Sequence, residues 1–172
     1  MLKDAVWQGL VAGAVGTVAM TVGEKVEQRL TGRPSSFVPA RVLARLTGAE
    51  ERESTALNWA MHYGQGALVG VLRSLMANAG LRGPVASSKF AVVRLTTDQV
   101  LENATGVGAP PETWPRSELV ADLVHKGVYA WVTGVVADRL AGAPGPGQVH
   151  ARYRPGRHAD VGPVPRASSA GR

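Results

Sequence analysis

The sequence predicts an all-α protein, a helical membrane bundle of about four helices followed by a basic tail. Three observations carry that expectation. The chain holds apolar runs longer than any ordinary strand. It is rich in small residues, with 21 glycines against 5% aromatics, a balance that suits closely packed helices better than a sheet. It also lacks the alternating apolar–polar pattern of a half-buried strand. Residues 1–140 form the expected helical membrane domain and residues 141–172 the expected tail.

The first apolar run, Ala5 to Gly23, has 19 residues without a formal charge. At ~1.5 Å per residue it is long enough for a hydrocarbon core of ~30 Å. It exceeds the ~7–15-residue core of a signal peptide, and Asp4 follows Lys3 at once, so a retained helix is expected. Gly9 and Gly13, with Ala12 and Gly16, give it a smooth face on which another helix can pack closely. Glu24 to Glu53 is a charged stretch broken by Pro34 and Pro39, expected to lie as a loop at a membrane surface. A short amphipathic helix over Ala40 to Thr47 carries Arg41 and Arg45.

The second apolar run, Thr55 to Leu72, has Ser54 or Thr55 as cap and His62 as its one ionisable residue. Gly66 and Gly70 repeat the small-residue spacing, and Gly80 is the expected stop of a helix that continues past Arg73. The third segment, Val85 to Asn103, is less apolar. Its Arg94, Asp98 and Glu102 fall on one stripe, which lipid cannot solvate and which must face partners, a cavity or water. A rigid GVGAPPETWP loop follows. The fourth segment, Ser117 to Leu140, has Ser117 as its expected N-cap, a polar first half with Asp122, His125 and Lys126, and an apolar second half. Trp7, Trp59, Trp114, Trp131 and Tyr129 suit interfacial or packing positions. The tail after Gly142, rich in Pro, Gly, Arg and Ser, reads as disordered.

These landmarks resemble the YagU-like family of small bacterial inner-membrane proteins. The resemblance rests on the glycine-rich first helix ending in GEKVEQ, on His62-Tyr63-Gly64 with Gly70, on Asp98, and on VGAPPETWP leading to LVHKGVYAWVTG. It covers roughly residues 5–140. It implies a multi-helix protein of the bacterial plasma membrane and supplies no activity or substrate.

Composition narrows the chemistry. With no cysteine, disulfides, thiolate zinc sites, iron–sulfur clusters and thiol nucleophiles are excluded. The net charge of +6 sits mainly in the tail, where five arginines face one aspartate, which argues against a nucleic-acid-binding domain. The same tail tips the expected orientation towards cytoplasmic termini. No nucleophile elbow, phosphate loop or dinucleotide fingerprint is present, and no motif implies a cofactor.

The candidate polar centre comprises His62, Arg94, Asp98, Glu102, Asp122, His125 and Lys126. His62 suits a proton relay, or a neutral histidine bonded to a neighbouring helix. Asp98 and Glu102 could share a proton or hold a cation, or serve as ion-pair partners of Arg94, Lys89 or Lys126. The histidines and carboxylates have no diagnostic metal-ligand spacing, so no metal is expected. Glu24 and Arg73 look like charges at helix ends.

The leading functional expectation is a non-enzymatic membrane protein whose polar centre handles protons or small ions. The alternatives are a structural protein that forms homo-oligomers or docks a membrane-protein partner, and a membrane-embedded enzyme acting on lipid. A water-soluble helical bundle stays open at this stage, because the third and fourth segments also make amphipathic helices.

Overall fold

The computed structural model describes residues 2–50 and 54–142. The expected disorder beyond Gly142 lies outside the described residues. Among these, every regular element is helical: α1 (Leu2–Thr31), α2 (Val38–Thr47), α3 (Thr55–Asn78), α4 (Gly83–Ala104) and α5 (Arg116–Leu140), with a single 3-10 turn at Pro111–Thr113 before α5. The four long helices run alternately up and down, and the short α2 lies against α3.

Local chemistry sets most of the ends. Ser54 caps α3 by accepting a hydrogen bond from the Leu57 amide, and Gly80 leaves that helix in the left-handed region at φ 93°. Several boundaries differ from the sequence reading: α2 begins at Val38 and α4 at Gly83, each two residues earlier than expected. α1 does not stop at Gly23 but continues two further turns, because Lys25, Gln28 and Glu24 bond along its surface and Thr31 bonds back to Glu27. Arg33, just past the end, forks onto the Glu27 carboxylate at 2.8–3.2 Å. At α5 the N-cap is Pro115, not Ser117, with no side-chain cap. Proline's fixed φ already sets the chain for the first turn.

Glycines bring α1 onto α3. Gly9 faces Val71 and the Gly70 carbonyl, Gly13 faces the Gly66 carbonyl, and a Cβ built on Gly70 would fall 2.5 Å from Gly13 Cα. The two small-residue patterns therefore interlock face to face, with no room for a methyl group. Gly16 does the same for α5, where Thr133 fills the space a side chain would need, and Gly134 of α5 admits Ser87 of α4. Above these contacts sits a small apolar core of Met20, Phe90, Tyr129 and Ala130, and below them one of Ala12, Ala77 and Ala137.

The distribution of polarity is inverted. Arg73 and Arg94 are 0% and 3% exposed, whereas Leu68 and Val92 are 68% and 62% exposed. Asp98, Lys126, Ser74, Thr17 and Thr133 are buried with the arginines. Val15, Val18 and Val22 of α1, Val93 and Val100 of α4, and Val120, Val124, Trp131 and Val135 of α5 stand outside. Two helices, α1 and α5, are long and apolar enough to cross a membrane. The second apolar run of the sequence, now the first turns of α3, falls short of that measure, because Asn58, His62, Tyr63 and Gln65 interrupt it and Arg73 follows.

Arg73 departs from the sequence reading. It is no helix-end charge but a fully buried pin between three helices. Its Nη2 meets Asp138 of α5 at 2.8 Å and lies 3.4 Å from Ser87 Oγ of α4, while Nη1 donates to the Leu81 carbonyl at 3.4 Å. Asp138 in turn accepts from the Gly83 amide at 2.9 Å, which ties down the start of α4.

The glycine contacts make a matched test. Gly70→Ala drives a methyl into the Gly13 backbone and is expected to cost about 1–3 kcal/mol, as overpacking does. Gly64→Ala adds a methyl where no atom lies within 4 Å and is expected to be neutral or stabilising by up to ~1 kcal/mol, through helix propensity. Thermal unfolding of the purified variants reads both, and equal effects would discount the close α1–α3 approach.

Candidate functional site

One end of the bundle opens into a cavity of about 360 Å³. Its walls come from the C-terminal halves of α1 and α4 and the N-terminal halves of α3 and α5, with the start of α2 and the Val107–Ala109 loop at the mouth. The cavity ends near the middle of the helices. Lys126, at its floor, is ten residues into α5, which corresponds to about 15 Å of helix, or some two-fifths of its length.

The floor is an ion cluster centred on Asp98. Arg94 approaches it at 3.3 Å from one turn earlier on α4, Lys126 at 3.3 Å from α5, and Gln65 of α3 donates to Asp98 Oδ1 at 2.8 Å. Lys126 also holds Asp122, one turn away on its own helix, at 2.8 Å. Four charges from two helices thus neutralise one another, as burial demands. The helical stripe dictates the arrangement on α4, because positions four apart superpose and present Arg94 and Asp98 to the same side.

Arg94 is incompletely satisfied. Its guanidinium lies over the Tyr129 ring at 4.9 Å, a cation–π contact, and only Nη2 meets a carboxylate. Its Nε and Nη1 are buried without a hydrogen-bond partner among the described residues. Leaving such donors unmet costs about 1–3 kcal/mol each. Tyr129 is itself fixed, since its hydroxyl donates to the Gly66 carbonyl at 2.5 Å. That bond uses a carbonyl beside the glycine contact between α1 and α3, so the packing seam and the charged floor share a tyrosine.

The other candidates spread over the walls. His62 does not join the ion cluster. Its Nε2 shares a 3.1 Å hydrogen bond with Thr21 of α1, and its ring meets Trp59 and Tyr63 edge-on. Glu102 lies two turns nearer the mouth than Arg94, with no ion-pair partner among the described residues. His125 lines the same cavity, as do Glu118 and Glu24, the latter accepting from Gln28 at 2.9 Å. Lys89, one of the cations weighed as an Asp98 partner, stands exposed on α4. At the rim, Trp114 is anchored by its indole N–H to the Ala109 carbonyl at 2.8 Å, and Lys25 sits 6.0 Å over the Trp59 ring. Among the described residues no group of three histidine or carboxylate side chains is spaced to hold a metal ion.

Sequence reasoning missed Gln65, Tyr129 and Thr21 as members of the site. Gln65 follows His62 by three positions and so shares its helix face, which was the available signal. Tyr129 and Thr21 gave none, because a tyrosine or threonine in an apolar run is ordinary packing material. No family model, curated protein or solved structure matches the chain.

The ion cluster predicts a coupled energetic response. Asp98→Ala strands Arg94 and Lys126 and is expected to cost about 3–5 kcal/mol in chemical unfolding. Adding Lys126→Met is expected to recover part of that loss, with a coupling energy of about 0.5–3 kcal/mol. Strict additivity of the two substitutions would contradict a shared cluster.

Proposed function

We propose that the chain is a small integral membrane protein, non-enzymatic, whose intramembrane polar centre takes protons or small ions from one side of the bilayer. The observation that carries this reading is the inverted polarity. Water-soluble proteins bury their aliphatic side chains and solvate their arginines, whereas here many valines and leucines stand outward, as lipid accepts, and two arginines are buried. Charged residues inside a bilayer are costly and face a bundle interior or a water-filled cavity, which is where Arg94, Asp98 and Lys126 sit.

α1 and α5 supply two crossings by length and composition, and α3 and α4 complete the bundle between them and the cavity. The resemblance to the YagU-like family points to the same architecture and to the bacterial inner membrane. With cytoplasmic termini, the cavity opens on the opposite face, where the α4–α5 loop and Trp114 form its rim. α2, with Ala40, Val42 and Ala44 turned inward and Arg41 outward, then lies along that surface. Asn58 of α3 holds it there, accepting from the Ala40 amide and donating to the Ser36 carbonyl, each at 3.1 Å.

The lack of native cysteine makes accessibility a clean test. Met61→Cys lines the cavity, and Leu68→Cys, two turns deeper on the same side of α3, stands exposed beyond the cavity lining. In membranes, a charged maleimide added from the open side is expected to label position 61 and spare position 68. Purified protein in vesicles is expected to pass protons or small ions at a rate that falls about tenfold or more in Asp98→Asn. Labelling of position 68 but not 61 would overturn the membrane reading. Vesicles no leakier than protein-free controls, together with a stably co-purifying membrane protein, would instead favour the docking role.

A further inference from the structure

We infer that the cavity is a binding site for a small zwitterion, with an oxyanion seated at Arg94 on the floor and an ammonium group held by the acidic and aromatic rim. This deepens the proposed function and rests on it. The floor supplies the oxyanion half. Arg94 is 3% exposed, lines the cavity, and keeps two donors without partners. Asp98 engages only its Nη2, at 3.3 Å, a loose contact that leaves the guanidinium free to accept a second carboxylate or phosphoryl group. Lys126 stands across from it on α5 and adds positive potential, although Asp98 and Asp122 both lean on it.

The rim supplies the cation half. Glu102 on α4 and Glu118 on α5 each lie two turns nearer the mouth than the floor cation of their own helix, and Glu24 of α1 lines the same cavity. None of the three has a cationic partner within salt-bridge distance among the described residues. Lys25 is engaged by Gln28 and Ser35, and Arg33 by Glu27. The indoles of Trp59 and Trp114 also line the rim; Lys25 takes one face of Trp59 at 6.0 Å, so the carboxylates and Trp114 are the groups offered to a second cation. A simple anion would have to pass three carboxylates that outnumber the neighbouring cations, Lys25 and the Glu27-paired Arg33, and a simple cation would leave the Arg94 donors unmet. A molecule with both charges answers both ends. Arg94 and Glu102 are eight residues apart on one helix, so their backbones are separated by about 12 Å, less the reach of two long side chains. That span fits a compact solute or a lipid headgroup, which share the chemistry of an oxyanion joined to an ammonium.

The test uses the full chain carrying the Met61→Cys reporter, solubilised in a non-ionic detergent. Probes are glycine betaine, acetate, tetramethylammonium and added phosphatidylethanolamine, and the readout is the rate of maleimide labelling. Glycine betaine is expected to slow labelling saturably, with acetate and tetramethylammonium each needing about tenfold more or failing to protect. Protection by phosphatidylethanolamine alone among the zwitterions would assign the site to a headgroup, and protection by betaine alone to a free solute, both of which uphold the shared chemistry. Arg94→Lys keeps the charge but loses the planar fork, and is expected to raise the half-protecting concentration about tenfold. Should that variant not fold, Glu102→Gln at the rim decides, with weaker protection by betaine and unchanged protection by acetate expected. Equal protection by acetate or by tetramethylammonium alone would overturn the inference, as would a labelled cysteine that no probe protects. Failure of position 61 to label at all would instead contradict an open cavity at this end of the bundle.

Discussion

Charge neutrality in the interior is the constraint on which the structure turns. Among the described residues three cations are buried: Arg73 pairs with Asp138 and Lys126 with Asp98, each on another helix, while Arg94 meets Asp98 from one turn away on its own helix. An unpaired charge in such surroundings would cost several kcal/mol, so the pairs fix which helix faces meet. Asp98 binds α4 to α5 and, through Gln65, to α3. Asp138 binds α5 to α3 and to the first residue of α4. The two clusters sit at different depths, one at the floor of the cavity and one near the opposite end, and together they set the register of three helices.

Close packing makes those pairs reachable. The glycine seam lets α1 and α3 touch backbone to backbone, and Gly16 and Gly134 let α5 settle against α1 and α4. Small residues at interfaces are how helices associate where the surrounding medium gives no hydrophobic drive. The same tightness packs the half of the bundle away from the mouth, where Phe90, Tyr129 and the alanines form the core. The cavity lies where small residues give way to long charged ones: glycines and alanines pack closely around the Arg73–Asp138 pair on one side of Tyr129, while Arg94, Asp98, Glu102, Asp122 and Lys126 line the other.

Much of this was legible from spacing. Gly9, Gly13, Gly66 and Gly70 stand out as two matching patterns, and the Arg94–Asp98 and Asp122–Lys126 pairs follow from helical periodicity alone. What spacing could not tell was which faces oppose each other. Arg73 looks like the end of an apolar run until Asp138, 65 positions away in sequence, is folded against it. The sequence groups His62 and Asp98 in one polar centre, yet Thr21 takes His62 and Gln65 takes Asp98. α1 overruns its apolar stretch because local side-chain bonds among Glu24, Lys25, Gln28 and Thr31 sustain the helix where hydropathy does not. Each of these depends on tertiary pairing or local hydrogen bonding, which a one-dimensional pattern does not contain.

The central claim is that the apolar outer surface faces lipid and the charges face inward. Fractionation of the tagged full-length protein, with an alkaline carbonate wash of the membrane pellet followed by detergent extraction, tests it most directly. Retention in the washed membrane and release only by detergent is the expected result. Recovery in the soluble fraction would contradict it, and the exposed valines would then have to be covered by a partner in water.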